Sequence, residues 1–412
     1  MPDCPRSTLI QGAVLGDGSQ RDVLVTDGLV AALGDHAGAV SDRLERIDLR
    51  GYILLPAPVE AHAHLDKALL SDRLTFPSFD LGGAVAAVRR SYPTMTTEDL
   101  QERASRAAHD ALAYGSTAIR THIDSNPLIG TRAVRAVVAL RESLRDLLDI
   151  QVVALAGFPI AGPAGAPNRR ALQDALSAGA DLVGGVPVRD PDPEAAVGEL
   201  LTIARAAGCG VDLHIDETTD PDALSLISLA RLVSSTSFDH PVTASHCVSL
   251  GVQPAGAAAQ IARAVADAGI SVVTLPQSNL YLQGRDVTTQ LPRGLTAIAE
   301  LRAAGVTVAG GGDNWRDPFN PMGRPDPLHT AALLVIAGHL TPEQAYAAVS
   351  DAARAALGLP AVQVAAGYPA DLLAVRGSSL AEILATGSAD RVVLRAGRPV
   401  VRTRVQVEWR PR

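Results

Sequence analysis

Two histidines one residue apart, His62 and His64, stand in the stretch Pro56-Ala57-Pro58-Val59-Glu60-Ala61-His62-Ala63-His64-Leu65-Asp66-Lys67. They follow an apolar run, Tyr52-Ile53-Leu54-Leu55. In an extended strand, residues i and i+2 point to the same face, so the two imidazoles project together and could hold one metal ion. Imidazole nitrogen suits zinc and iron, and a catalytic centre needs further ligands plus an open position for water. A strand-end histidine pair with no metal has the same spacing. The missing ligands therefore have to come from elsewhere in the chain.

The elements that would bring them are legible. The middle of the chain alternates short apolar runs of β type with Ala-rich helical stretches, the pattern of a parallel sheet wrapped by helices. Eight such runs end near residues 64, 122, 154, 186, 214, 246, 275 and 310. This predicts an α/β chain with a (β/α)8 TIM barrel over residues 57–361. Residues 9–54 read instead as short strands with turns at Asp17-Gly18 and Asp27-Gly28, and the C-terminal end shows strands again. Both chain ends, 1–56 and 362–412, are expected to build one small β-sandwich-like domain.

Composition bounds the function. The chain has 412 residues, 47% apolar and 19% charged, enough to bury a large core. A net charge of −8 argues against a nucleic-acid partner and against an anionic membrane surface. The N-terminus lacks the basic-then-apolar order of a signal peptide, and no apolar run reaches the ~18–20 residues of a membrane span. Cys4, Cys209 and Cys247 form no CxxC pair, which fits a reducing cytoplasm. Of 36 basic residues, one is lysine: Lys67, three residues after His64. Chance is one reading. The other is a primary amine needed at the site, for substrate or for Asp66.

In a barrel of this kind, chemistry sits at the C-terminal ends of the strands. Strand one delivers His62 and His64. Strand five delivers His214, followed by Asp216 and Glu217. Strand six delivers His246, and strand eight delivers Asp313 after Gly310-Gly311-Gly312. The glycine run lacks the Lys-Ser/Thr of a phosphate loop, so close packing beside the site is the better account. His36, His109, His240, His329 and His339 fall in expected turns or helices and read as bystanders.

These motifs, in this order, resemble the amidohydrolase superfamily and most closely its cytosine deaminase branch. Arg120-Thr121-His122-Ile123-Asp124, Val242-Thr243-Ala244-Ser245-His246, Leu282-Gln283-Gly284-Arg285 and Asp313 through Asp317-Pro318 are similar to stretches of that family. The resemblance implies one divalent metal ion per chain, zinc or ferrous iron, held by His62, His64, His214 and Asp313. It implies hydrolytic deamination of a nitrogen heterocycle, with small-molecule substrates and a homo-oligomer. Lysine-bridged binuclear relatives carry that lysine on strand four, where this chain reads Asp181-Leu182-Val183-Gly184-Gly185-Val186; a single metal is expected.

On the same resemblance, Asp313 would take the proton of the attacking water, Glu217 would shuttle a proton to a ring nitrogen, and His246 would polarise the developing oxyanion. Asp66 would orient a ligand histidine, and His122 would serve in structural hydrogen bonding beside the ligands. Lys67, Ile160, Gln283, Asn314, Trp315 and Phe319 are expected to face substrate. Three of these mark departures. The glutamine that reads cytosine after Phe-Pro is Ile160 here, a second Asp after Asp313 is Asn314, and an expected Trp is Phe319, with Trp315 nearby. Lys67 resembles branches that act on N-substituted amino-triazines. The departures point to an amino-azaheterocycle other than cytosine, or an N-alkylated one. An amide, lactam or cyclic-imide hydrolase giving a carboxylate is the alternative.

Overall fold

The computed structural model describes residues 7–34, 44–75 and 78–410. Cys4 and His36 lie outside them. The first strands are β1 (Ser7–Val14), β2 (Gln20–Thr26), β3 (Leu29–Gly34), β4 (Leu44–Asp48) and β5 (Tyr52–Pro56). The barrel follows with β6 (Glu60–Ala63), β7 (Ala118–Ser125), β8 (Asp149–Ala156), β9 (Leu182–Gly184), β10 (Val211–Ile215), β11 (Val242–His246), β12 (Ser271–Thr274) and β13 (Val308–Gly310). The chain ends with β14 (Leu372–Arg376), β15 (Arg391–Arg395) and β16 (Arg398–Arg402).

Strands β6 to β13 pair in sequence order, each parallel to the next. The seam closes through one parallel bridge, Ala63 to Asp313. Helices cover the outside, so β7 is buried along its whole length, as a parallel strand covered on both faces must be. Its outward Ile119 and Ile123 join the large apolar core between barrel and helices. Arg120, His122 and Asp124 alternate with them and face inward. This barrel interior is polar: Arg120 donates to Asp212 Oδ2 at 3.0 Å and to Thr243 Oγ1 at 3.1 Å.

The strands of both chain ends form a separate sheet, ordered β16-β15-β14-β5-β1-β2-β3 with β4 on β1. It has its own apolar core, which includes Ile10, Val23, Leu54, Leu372 and Val392. Antiparallel pairing of β14 with β5 joins the two ends directly upstream of the His62 strand.

The long β6–β7 connection carries α1 (Leu81–Ser91) and α2 (Thr97–Ala113). Asp80 caps α1 by accepting from Gly83 N at 2.8 Å, and Thr96 caps α2 by accepting from Asp99 N at 3.2 Å. Arg103 of α2 holds the strand-one loop from beneath, donating to the carbonyls of Asp66 at 2.8 Å and Ala68 at 2.9 Å. Among the described residues no helix is long and apolar enough to cross a membrane.

Candidate active site

Four donors converge at the top of the barrel. His62 Nε2 lies 3.4 Å from His64 Nε2, and His64 Nε2 lies 3.2 Å from His214 Nε2. Asp313 Oδ1 stands 3.6 Å from His62 Nε2 and 3.2 Å from His64 Nε2. Ligands bonded at about 2.0–2.1 Å around a tetrahedron stand about 3.3 Å apart, so this spacing suits a zinc-sized ion.

The protons are arranged to match. His62 Nδ1 donates to Ser245 Oγ at 2.9 Å, because the Ser245 proton is committed to Asp212 Oδ1 at 2.9 Å. His64 Nδ1 donates to the carbonyl of His122 at 3.0 Å. Both histidines therefore present bare Nε2 lone pairs to each other, a repulsive contact that a cation between them relieves. Burial pushes His62, His64 and His214 well below the ordinary histidine range, which keeps them neutral and fit to ligate. Neither oxygen of buried Asp313 makes a hydrogen bond, and burial raises its carboxyl. The donor set fits one divalent ion. A lower group of His62, His122 and Asp212 also has ligand atoms close together, but Arg120 and Ser245 already occupy Asp212.

Ser245, Asp212, Arg120 and Glu60 extend the site downward, and none was singled out for a role from the sequence. Burial alone would raise Asp212, but His122 and Arg120 outweigh it and hold the carboxyl at about 2. Glu60 accepts from His62 N at 3.1 Å and Gly312 N at 2.8 Å, tying the first barrel strand to the last. The glycine run is explained by the same packing: a Cβ on Gly312 would lie 2.8 Å from Glu60 Oε2 and 2.8 Å from Trp315 Nε1. The signal for Glu60 and Asp212 was the strand period, since each stands two residues before a ligand histidine.

Three functional side chains reach the site by breaking that period. Asp216 has φ +48°, His246 φ +72° and Asp313 φ +65°. Asp and His are among the residues that tolerate this left-handed region. The turn at Asp216 sends its carboxylate to Ser225 N and Leu226 N, both at 3.0 Å, and sends Glu217 into the cavity. Glu217 Oε1 then lies 3.5 Å from His246 Nδ1. Burial and the nearby Asp313 carboxylate push Glu217 well above the ordinary carboxylate range, against a smaller opposing pull from Arg189. Asn279 Nδ2 donates to His246 Nδ1 at 3.1 Å, which places the ring proton on Nε2, an atom with no protein partner. Burial pushes His246 down to about 4 despite Asp313, so the ring is a neutral donor.

A cavity of about 770 Å³, part of it open to solvent, lies over these groups. Leu81, Val85, Val88, Arg89 and Tyr92, one face of α1 and its following turn, form one wall. Lys67 reaches it too. Its Nζ pairs with Asp66 Oδ1 at 3.1 Å and Asp124 Oδ1 at 3.0 Å, and Tyr92 OH donates to Asp124 Oδ2 at 2.7 Å. Burial opposes the Lys67 charge, but Asp124 and Asp66 outweigh it and hold the ammonium above its ordinary range.

Of the expected substrate residues, Lys67, Asn314 and Phe319 line the cavity. The other three do not. Ile160 packs in the apolar core, its N–H held by Asp190 Oδ2, and Phe158 takes the wall position. Gln283 Nε2 donates to the Glu217 carbonyl at 3.3 Å, propping the loop. Trp315 is fully buried behind Gly312. Asp66, expected to orient a ligand histidine, serves Lys67 and Asp124 N instead. His122 does hold His64, through its carbonyl, while its ring stacks on His62 with centroids 3.9 Å apart. His109, His240, His329 and His339 lie away from the cluster.

The amidohydrolase family pattern matches residues 77–401. A pterin deaminase of Rhizobium rhizogenes is 35% identical over 387 residues, covering 93% of this chain and 88% of that protein. The structure of a 5-methylcytosine deaminase from Klebsiella pneumoniae superposes with a TM-score of 0.86 at 27% identity, over 98% of this chain and 100% of that one. An N-isopropylammelide isopropylaminohydrolase from Burkholderia multivorans superposes with a TM-score of 0.83 at 30% identity, over 96% of this chain and 98% of that one. The chain belongs to the amidohydrolase family, in its cytosine-deaminase-like branch.

Proposed function

We propose that this protein is a mononuclear metal-dependent aminohydrolase that removes ammonia, or an alkylamine, from an amino-substituted nitrogen heterocycle. The observation that carries the reading is the meeting of His62, His64, His214 and Asp313 within 3.6 Å contacts, with Glu217 and His246 beside them in one cavity. The three relatives, named for pterin, 5-methylcytosine and N-isopropylammelide, all take such heterocycles. One ion is favoured because the chain's single lysine is committed to Asp66 and Asp124, and β9, where a bridging lysine would stand, has none.

Bound divalent zinc or iron would supply Lewis-acid activation of the attacking water. Asp313, at the edge of the donor set, takes a proton from that water. Glu217 donates its proton to the ring nitrogen beside the amino-bearing carbon, which makes that carbon electrophilic. His246 Nε2–H donates to the oxygen as it adds. The proton on Asp313 then passes to the exocyclic nitrogen, the carbon–nitrogen bond breaks with its electron pair going to the departing amine, and the carbonyl forms as the remaining hydroxyl proton returns to Glu217. Phe158, Phe319 and the apolar face of α1 stack on the ring and exclude bulk water. The acidic chain and the free thiols of Cys209 and Cys247 suit a cytoplasmic setting, and a homo-oligomer belongs to the same proposal.

Metal-loaded protein incubated with pterin, cytosine, 5-methylcytosine, isoguanine and N-alkylated amino-triazines should release amine from at least one. The product mass should show an exocyclic nitrogen replaced by oxygen. A ring-opened carboxylate product would instead establish an amide or lactam hydrolase.

A further inference from the structure

We infer that the cavity mouth is an anion subsite, so that the preferred substrate is an amino-azaheterocycle bearing a ring carboxylate at the end remote from the amino group. This rests on the deaminase reading and sharpens its substrate class. Two arginines line the cavity, Arg89 on the inner face of α1 and Arg189 at the end of the turn after β9. Both are exposed at the rim. Both guanidinium groups lie over the Phe158 ring, at 4.6 and 5.6 Å from its centroid.

What they lack is an acid. Other arginines near the barrel are paired: Arg103 with Asp99, Arg120 with Asp212, Arg391 with Asp326. Among the described residues Arg89 and Arg189 have no ion pair and no hydrogen bond. The cavity's own carboxylates stand beyond ion-pair distance. Asp124 belongs to Lys67, Asp313 belongs to the ligand cluster, and Glu217 faces His246, with Arg189 near enough to be felt but not paired. A chain of net charge −8 thus keeps two arginines without an ion pair over one aromatic ring at the entrance to its reacting centre. Phe158 orients both side chains through cation–π contact, which lowers the entropy lost when a ligand engages them. The planar guanidinium fork matches a carboxylate in two-point contact. A flat heterocycle with its amino carbon at His246 and Glu217 would present its far edge to the two arginines.

The test compares matched substrates, pterin with 6-carboxypterin and cytosine with 5-carboxycytosine, on metal-loaded wild type and on R89Q, R189Q and the double variant. Wild type should favour the carboxylated member of at least one pair. That kcat/KM ratio should fall about tenfold per arginine removed, the low end for a charge-assisted bond at an exposed rim. The fall should appear mainly in KM. Arg189→Lys, which keeps the charge without the fork, should recover only part of the ratio. A wild-type preference for the neutral members, or a ratio unchanged within twofold in the double variant, overturns the inference. If no member is turned over, calorimetric binding of the same pairs decides it. Tighter binding of the carboxylates, lost in the double variant, upholds the subsite while the deaminase reading fails; equal binding of both members overturns the subsite as well.

Discussion

The amide of Asp313 donates to the carbonyl of His62 at 2.8 Å, and this bond joins the last barrel strand to the first where both bring candidate ligands. Barrel closure and assembly of the proposed metal site are therefore one event. Gly312 makes the approach possible, because a Cβ there would press on Glu60 and Trp315. Gly312→Ala should lower stability by about 1–3 kcal/mol, the usual range for overpacking, and should reduce bound metal per chain. Urea unfolding and elemental analysis on the same preparation check both.

Ser245 does not line the cavity, yet it fixes the tautomer of His62 by accepting from Nδ1 while donating to Asp212. Ser245→Ala should weaken metal binding about 10–100-fold, as loss of such supporting contacts usually does, with little change in far-ultraviolet circular dichroism. Competition with a chromophoric chelator measures the affinity.

Asp212 gives stability a defined acid limb. Its folded pKa of about 2 lies below its ordinary value of 3.8, so between those values the unfolded chain binds more protons than the folded one. Its contribution, on the order of 2 kcal/mol, is complete above about pH 4 and is lost as pH falls through 2. Asp212→Asn should remove that part of the pH dependence and, by leaving the Arg120 guanidinium buried without its acid, cost about 3–5 kcal/mol at neutral pH. Unfolding free energies measured from pH 2 to 7 show both effects.

Lys67 is bound to two acids inside the protein. Lys67→Met should destabilise by about 3–5 kcal/mol, because Asp66 and Asp124 then remain buried without their cation. The double variant with Asp124→Asn should recover part of that loss. A double-mutant cycle by chemical denaturation gives the coupling.

The eight barrel runs were readable because each alternates with an Ala-rich helical stretch, and the structure places a strand at every one. His62, His64, His214, His246, Glu217 and Asp313 were named from sequence, and the structure brings them together. Their geometry was not readable. Glu217 and His246 violate the two-residue period, and left-handed turns at Asp216 and His246 supply the rotation. Ser245 and Asp212 were given no role from the sequence because theirs is a hydrogen-bond chain linking residues on three strands, His62, Ser245 and Asp212. Ile160, Gln283 and Trp315 were placed at the substrate by position along the chain alone, but side-chain direction after Phe158-Pro159 and after Asp313 depends on loop geometry that spacing does not encode. Arg89 and Arg189 come from distant segments, and only the fold brings both to Phe158.

The central claim is that Glu217 moves the proton while four other groups hold one metal. Glu217→Gln tests it most directly, with metal content and turnover measured on the same sample against the best substrate. The account predicts one ion per chain retained and kcat reduced by about 10²–10⁴, the usual contribution of a positioned acid–base group. A variant that keeps its metal and turns over at the wild-type rate contradicts it.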